Sequence, residues 1–271
     1  MLGCLEKMTT QWAEPVHYRL PVGDSELDLQ PLLGQRLELR HTGQIVCVHC
    51  HKKTAKSFNQ GYCYPCFIKL AQCDMCIMKP ETCHYAAGTC REPSWGEAFC
   101  FQPHIVYLAN SSGIKVGITR KSQLPTRWID QGAVQALPVF EVASRYISGL
   151  VEVTLAEHVS DKTSWQQMLK NQVHVLDLPA LRDELLAKCT DSLSAISERF
   201  GAEALQLLSD ADPVEIRYPV LQYPTKVKSF NLDKDPVITG VLQGIKGQYL
   251  LLDTGVINIR KFAGYEVEVL G

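Results

Sequence analysis

The chain has 271 residues, a hydrophobic fraction of 46% and a formal net charge of -2 at pH 7. That length allows one large domain or two to three small ones, and the near-neutral charge argues against a strongly cationic, histone-like binder. A run of about twenty apolar residues, which a membrane helix needs, does not occur, so we expect no membrane partner. The N-terminus lacks a basic start followed by an apolar stretch, so we expect no signal peptide and a cytoplasmic location.

The first 46 residues predict short strands, because apolar and polar residues nearly alternate and glycines separate the runs. The runs are 16–20, 26–29, 36–40 and 44–46. We treat 1–46 as an N-terminal β segment.

Nine of the eleven cysteines lie between residues 47 and 100, and six of them form three Cys-x2-Cys pairs. A Cys-x2-Cys turn presents two thiolates at the separation that tetrahedral Zn²⁺ requires. The odd cysteine count and the missing export signal argue against a disulfide framework. We therefore expect residues 47–103 to be held by metal rather than by a large apolar core.

The cysteine spacing predicts one to two structural zinc sites. The first set has the x2–x12–x2 spacing typical of a zinc ribbon or treble clef, and it consists of Cys47, Cys50, Cys63 and Cys66. A second set draws on Cys73, Cys76, Cys83, Cys90 and Cys100. We expect it to use Cys73, Cys76 and two of the other three, which leaves one thiol spare. Sites with four thiolates have no open coordination position, so their zinc is structural.

Two strands and several helices follow the cysteines. Residues 105–109 and 114–118 predict a hairpin around the turn at 111–113. A stripe at Ile147, Val151, Leu155 and Val159 predicts an amphipathic helix. Asp177 opens a second helix, and a third is expected to run through Leu193 and Phe200 as far as Leu207.

The tail predicts four more strands, at 237–242, 248–252, 256–260 and 266–269, with glycines between them. Short strands with glycine turns are typical of a small β-barrel or sheet. The fold class is therefore α+β: a zinc segment and an α/β module, flanked by a small β-barrel or sheet. The N-terminal and C-terminal β parts could pair with each other.

The segment after the cysteines reads Ile105-Val-Tyr107, then Lys115-Val-Gly117-Ile-Thr119, then Arg127 and, on a later helix, Glu152. In order and spacing this resembles the GIY-YIG nuclease superfamily over about residues 104–160, with Lys115 where the second motif usually has tyrosine. The whole chain also looks like a bacterial family of unknown function that has cysteine knuckles before such a module.

The resemblance implies a metal-dependent endonuclease that hydrolyses phosphodiesters of DNA or RNA. By position, Glu152 would bind Mg²⁺ or Mn²⁺, with Glu157 as a rival. Arg127 would contact the phosphate, since its forked guanidinium suits phosphate oxygens. Tyr107 would orient or deprotonate water, Gly117 would allow a close backbone approach, and Lys115 would be a point charge beside the phosphate. His104 is an alternative base.

Each of these residues also has a plain structural interpretation. Tyr107 could be a core aromatic, Glu152 a solvated helix residue, and Arg127 the ion-pair partner of Asp130. The alternative functions are a non-catalytic nucleic-acid or ribosome-associated binding protein, or an adaptor that recruits a protein partner through its zinc knuckles. The chain lacks a nucleotide-binding glycine loop, so we expect no nucleotide cofactor.

These interpretations divide the chain into four segments. After the N-terminal β segment and the zinc segment, residues 104–212 form a GIY-YIG-like α/β domain with a helical extension. Residues 213–271 form a C-terminal β module, whose aromatic and basic side chains could contact nucleic acid or pack inside it: Lys246, Tyr249, Arg260, Lys261, Phe262 and Tyr265.

Overall fold

The computed structural model describes residues 1–159 and 163–271. The strands are β1 (Leu2–Cys4), β2 (Thr9–Gln11), β3 (His17–Val22), β4 (Ser25–Asp28), β5 (Arg36–Ile45), β6 (His104–Asn110), β7 (Ile114–Arg120), β8 (Gln135–Val142), β9 (Leu205–Leu207), β10 (Val214–Glu215), β11 (Val237–Lys246), β12 (Tyr249–Leu252), β13 (Gly255–Asn258) and β14 (Tyr265–Leu270). The helices are α1 (Tyr64–Lys69), α2 (Pro93–Phe99), α3 (Thr126–Asp130), α4 (Arg145–Ala156), α5 (Trp165–Leu169), α6 (Leu178–Lys188) and α7 (Thr190–Phe200). Among the described residues, no helix combines the length and the apolar character needed to span a bilayer.

The two ends of the chain share one antiparallel sheet of six strands in the order β1-β14-β5-β11-β12-β13. β5 joins them, since Leu39 pairs with Val269 on one side and with Ile238 on the other. The two predicted strands at 36–40 and 44–46 are one continuous strand. The flanking strands were predicted to form a small β-barrel or a sheet. They form an open sheet, because β1 and β13 stand at opposite ends of the strand order. The division into four segments stays a prediction.

A second antiparallel sheet is built around the predicted hairpin of β6 and β7, which the structure confirms. β8 lies on the other side of β6, and both β9 and β10 pair with its outer edge. β7 is therefore an edge strand. The sequence pattern did not predict β8, which contains Pro138. That proline stands opposite Tyr107 beside a register shift, as expected for a residue without a backbone N–H.

The sheet of β6–β10 separates two apolar cores, because side chains alternate between the two faces of a strand. Ile105, Tyr107 and Ala109 belong to a large core shared with the six-stranded sheet and with the three-stranded sheet β2-β3-β4. Val106 and Leu108 belong to a second core beneath α4, α6 and α7. β6 therefore lies between two packed layers.

The third predicted helix ends earlier than its apolar stripe suggested. α7 stops at Phe200, and Gly201 follows with a φ of +91°, a conformation that favours glycine. Leu207 lies instead on β9, where it pairs with Phe140 of β8. The apolar stripe predicted too long a helix because Leu207, which belongs to β9, happens to continue the spacing of the apolar residues of α7. The predicted start of α6 is confirmed, since the Asp177 carboxylate accepts a hydrogen bond from the Ala180 N–H.

The cysteine-rich segment has no share in these cores. All residues from 46 to 104 are described, and none belongs to the apolar clusters of the molecule. The segment consists of short 3-10 turns and the helices α1 and α2. It therefore has to be stabilised by something other than burial of apolar side chains, as the sequence predicted.

Candidate zinc centre and catalytic cluster

Cys47, Cys50, Cys63 and Cys66 form one compact group, with all four Sγ atoms within 4.8 Å of one another. The Sγ atoms of Cys50 and Cys63 are 3.7 Å apart. A tetrahedral site with Zn–S bonds of about 2.3 Å requires sulfur–sulfur separations of about 3.8 Å. The geometry therefore fits a zinc ion held by four thiolates.

Local backbone structure brings these thiols together. Cys47 follows β5 in a tight turn closed by pairing of Val46 with Lys53, while Cys63 caps α1 and Cys66 lies in its first turn. Two of the thiols thus come from a turn and two from the N-terminus of a helix. The Val46 N–H donates to the Gly264 carbonyl over 2.7 Å, which docks the centre against β14.

Hydrogen bonds to the thiols of this centre change their pKa values in a way that favours the binding of a cation. Burial opposes ionisation of Cys47, but backbone N–H groups of Cys50, Cys63 and His49 point at its sulfur and lower its pKa to about 6. The pKa of Cys66 is raised to about 12 by desolvation and by hydrogen bonds with the other three thiols. The group thus releases its first proton readily and shares the last, which a bound cation would displace. His49 and His51, which flank the first Cys-x2-Cys turn, are exposed.

The other five thiols of the segment separate into two places. Cys73 is buried and its thiol is hydrogen-bonded by the Asn59 side chain, and its charge couples to that of Cys47. The remaining four line a small cavity between the short helices: Cys76, Cys83, Cys90 and Cys100. Cys76 also lies within 4.8 Å of side-chain atoms of Asp74 and His84.

Tyr107 of β6 and Gly117 of β7 stand opposite each other in the hairpin. Tyr107 is fully buried, and the Gln131 amide donates a hydrogen bond of 2.8 Å to its hydroxyl. Burial raises the pKa of Tyr107, while the charge of Arg127 and hydrogen bonds from Arg127 and Gln131 oppose that rise. Arg127 of α3 therefore lies beside the tyrosine hydroxyl.

Glu152 of α4 lies in the same electrostatic neighbourhood. Burial raises its pKa to about 7, against the opposing charges of Arg145 and Arg127, and Glu81 raises it further. Tyr107 in turn senses the charge of Glu152. Tyr107, Gly117 and Arg127 thus lie side by side, and the charge of Glu152 acts on Tyr107.

The remaining sequence candidates lie around this cluster or away from it. Lys115 is partly exposed on β7, two residues before Gly117 and therefore on the same face of the sheet. Glu157 is exposed at the end of α4, where its charge acts on Cys189. His104 is buried with its Nδ1 against the Gln102 carbonyl, and burial lowers its pKa to about 4.

Two of the plain structural interpretations can be compared with the contacts. Asp130 is paired with Lys7 over 2.7 Å and accepts a hydrogen bond from Gln248, rather than forming the expected pair with Arg127. Three of the six C-terminal aromatic and basic candidates are buried, namely Lys246, Phe262 and Tyr265, so the packing alternative holds for these three.

The sequence singled out none of Glu81, Gln131 and Arg145, and it named Arg260 only as a possible nucleic-acid contact of the C-terminal module. Arg145 begins α4, and its Nη2 donates 2.6 Å to the Ile77 carbonyl in the cysteine-rich segment. Arg260 donates from Nε to the Gln60 side chain over 2.7 Å and senses the charges of Asp130 and Arg127. Their contacts span long stretches of chain, so no local pattern marked those contacts.

Comparison with known proteins gives one match. The profile of the family described as "Protein of unknown function (DUF2797)" matches residues 34–267, which include the cysteine-rich segment and the cluster around Tyr107. No curated protein and no solved structure matches the chain. Because the match covers most of the sequence, the chain belongs to the DUF2797 family.

Proposed function

We propose that this protein is a zinc-stabilised, metal-dependent endonuclease that hydrolyses phosphodiesters of DNA or RNA at a GIY-YIG-like site. One observation carries the proposal: Tyr107, whose ring lies over Gly117, is hydrogen-bonded by Arg127 and is influenced by the charge of Glu152, as the motif order predicts. Residues that only stabilise the fold would not be expected to alter one another's pKa across three separate elements, β6, α3 and α4.

The carboxylates at this site suit an oxygen-seeking divalent cation. Glu152 is partly buried with a pKa of about 7, and Glu81 lies close enough to raise it. Mg²⁺ and Mn²⁺ prefer carboxylate oxygens and are bound by one or two of them, together with water and phosphate. Glu152 would hold the ion and Glu81 would support it. When bound, the ion would supply charge stabilisation and an activated water.

The neighbouring side chains would position the phosphate. Arg127 has a forked guanidinium that fits phosphate oxygens and carries the positive charge nearest Tyr107. Tyr107, with its hydroxyl already held by Gln131, would orient Arg127 and water rather than remove a proton, because burial raises its pKa. Lys115 would add a point charge at the open edge of the sheet.

Basic side chains beyond the cluster support a polyanionic substrate. Lys52, Lys53, Lys56 and Lys69 are exposed around the first cysteine centre. Tyr64 of α1 is 56% exposed among them. Exposed lysines with an aromatic ring are the groups that bind single-stranded nucleic acid through phosphates and stacking.

A second function is favoured by the burial of Tyr107. Its side chain is 0% exposed and its hydroxyl is already hydrogen-bonded. A tyrosine that is buried and hydrogen-bonded in this way would stabilise the fold even if it took no part in a reaction. With lysine at position 115, this supports a nucleic-acid-binding protein that keeps the fold without the reaction.

The experiment is a cleavage and gel-shift assay on labelled single-stranded, duplex and branched DNA and RNA, with EDTA, Mg²⁺ or Mn²⁺. Wild type is compared with Arg127→Ala and with Arg199→Ala, an exposed arginine on α7 that serves as the matched control. Cutting that requires the divalent ion and is lost only in Arg127→Ala supports the nuclease.

The other outcomes assign the protein to another class. A shift without cutting, weakened by salt because phosphate contacts are screened, would make it a binding protein. If the protein neither cuts nor shifts any substrate, both nucleic-acid functions are contradicted. An adaptor for a protein partner is then favoured.

A further inference from the structure

Four cysteines outside the first centre face one small cavity. Cys76, Cys83, Cys90 and Cys100 line a space of about 30 Å³ together with residues of the surrounding short helices. A second space of about 30 Å³ lies on the other side of three of them, Cys76, Cys83 and Cys100. Ligand pockets for small molecules are about ten times larger, so the cavity has room for an ion but not for a substrate.

The segment around this cavity has little else to hold it. Residues 71–101 form four 3-10 turns and the seven-residue helix α2, and none of them belongs to an apolar core. Chains of this size without a core are usually held by disulfides or by metal. The cysteines here are free thiols, each at the end of a short element or close to it.

Cys73 is the thiol that this arrangement leaves out. It is absent from the lining of both cavities, which consist of described residues. Cys73 therefore does not face the space that the other four thiols share.

A positive charge already stands where a tetrathiolate zinc site would need it. Zn²⁺ with four thiolates has a net charge of -2, and such a buried charge requires compensation. Arg145 lines the second space together with three of the thiols, and its Nε is buried with no hydrogen-bond partner among the described residues. Its backbone N–H also donates to the Cys100 carbonyl over 2.8 Å.

A competing ligand set combines Cys76 with Asp74 and His84, whose side-chain atoms lie within 4.8 Å of one another. These two side chains already have partners. Asp74 receives the Arg91 Nε at 2.6 Å and the Cys76 N–H at 3.3 Å, and His84 Nδ1 is 2.8 Å from the Thr89 hydroxyl. They are placed to orient Cys76 and Arg91 around an ion.

We propose that Cys76, Cys83, Cys90 and Cys100 form a second structural Zn²⁺ centre, and that Cys73 is not a ligand. The four thiols are more widely spaced than those of the first centre, so ion binding draws the short helices together. Arg145 connects this centre to the first turn of α4, the helix that bears Glu152. The proposal does not depend on the nuclease function.

The test is the metal content of the full-length protein. Zinc per chain is measured by mass spectrometry in wild type, Cys90→Ser and Cys73→Ser, and wild type refolded with Co²⁺ is titrated in parallel. We expect two zinc ions in wild type and in Cys73→Ser, and a twofold loss to one in Cys90→Ser. The cobalt charge-transfer bands should grow linearly to two equivalents, each with tetrathiolate intensity.

Several results would overturn the proposal. One equivalent in wild type would leave only the first centre, and this result does not require any variant to fold. A loss of zinc in Cys73→Ser with full content in Cys90→Ser would restore Cys73 as a ligand. A second cobalt equivalent with the weak charge transfer of a single thiolate, lost in His84→Gln, would assign the site to Asp74, Cys76 and His84.

Discussion

The Tyr107 hydroxyl lies over Gly117 so closely that a Cβ atom on residue 117 would stand 2.7 Å from it. The two residues are cross-strand partners in β6 and β7. The glycine thus provides the space in which the tyrosine meets Arg127 and Gln131.

Substitution of Gly117 by alanine should displace this tyrosine. Because the nearest atoms belong to a buried ring that is packed against Trp128, we expect a loss of about 1–3 kcal/mol in the free energy of unfolding. Urea unfolding measures it. Gly113→Ala is the control, since its nearest contact would be 3.9 Å away. Equal stability of both variants would show that the Tyr107 ring moves freely.

Glu152 should make stability fall as the pH rises. Its folded pKa of about 7 exceeds the ordinary 4.5, so the folded state holds the proton more tightly between those values and stability is lost as the pH rises through that window. The groups that face it are Arg145, Glu81 and Arg127. We expect Glu152→Gln to be more stable than wild type at pH 8, by on the order of 2 kcal/mol, and similar at pH 4.5. A parallel pH profile of the two proteins would contradict this assignment.

Lys246 should make the free energy of unfolding rise with pH, which is the opposite of the effect of Glu152 and occurs over a higher pH range. Burial lowers its pKa to about 7 from 10.5, so the folded state binds fewer protons between those values and stability rises with pH there. Its nitrogen has the Asn171 Oδ1 at 2.8 Å and the Tyr218 ring centroid at 5.4 Å as partners. We expect Lys246→Met to remove the rise between pH 7 and 10 in the unfolding free energy. A rise that persists in the variant would assign it to another group.

Zinc removal should unfold one part of the molecule. Since residues 46–104 contribute nothing to the apolar cores, their order depends on metal, whereas the sheets keep their own packing. We expect chelation, or Cys47→Ser, to increase hydrogen exchange throughout 46–104 and to leave β11 and β12 protected. Cys4→Ser, a change at a lone thiol on β1, is the control. Unchanged exchange in metal-free protein would contradict a structural role for zinc.

The sequence predicted the parts of this molecule that local patterns specify. Spacing alone identified the ligands of the first centre, because two turns of Cys-x2-Cys have one sensible geometry. The short apolar run at 105–109 and the run at 114–118, with a turn between them, predicted β6 and β7. Each of these features depends on residues close together in the chain.

The parts that sequence reasoning missed depend on distant contacts. β8 contains Pro138 and is buried on both faces, so it shows no alternation. Pairing of β5 with β11 and β14 joins residues about 200 positions apart, so the sequence raised it only as a possibility.

The most direct test of the proposed function is the rate of Mg²⁺-dependent cleavage by Glu152→Gln relative to Glu157→Gln. Glu152 lies on α4 and its pKa responds to the charge of Arg127, whereas Glu157 directly follows the helix, is exposed, and acts through its charge on Cys189. We predict a loss of about a hundredfold or more in Glu152→Gln, as for groups that stabilise developing charge, and wild-type rates in Glu157→Gln. Equal rates in the two variants, or cleavage that persists unchanged in EDTA, would contradict the account.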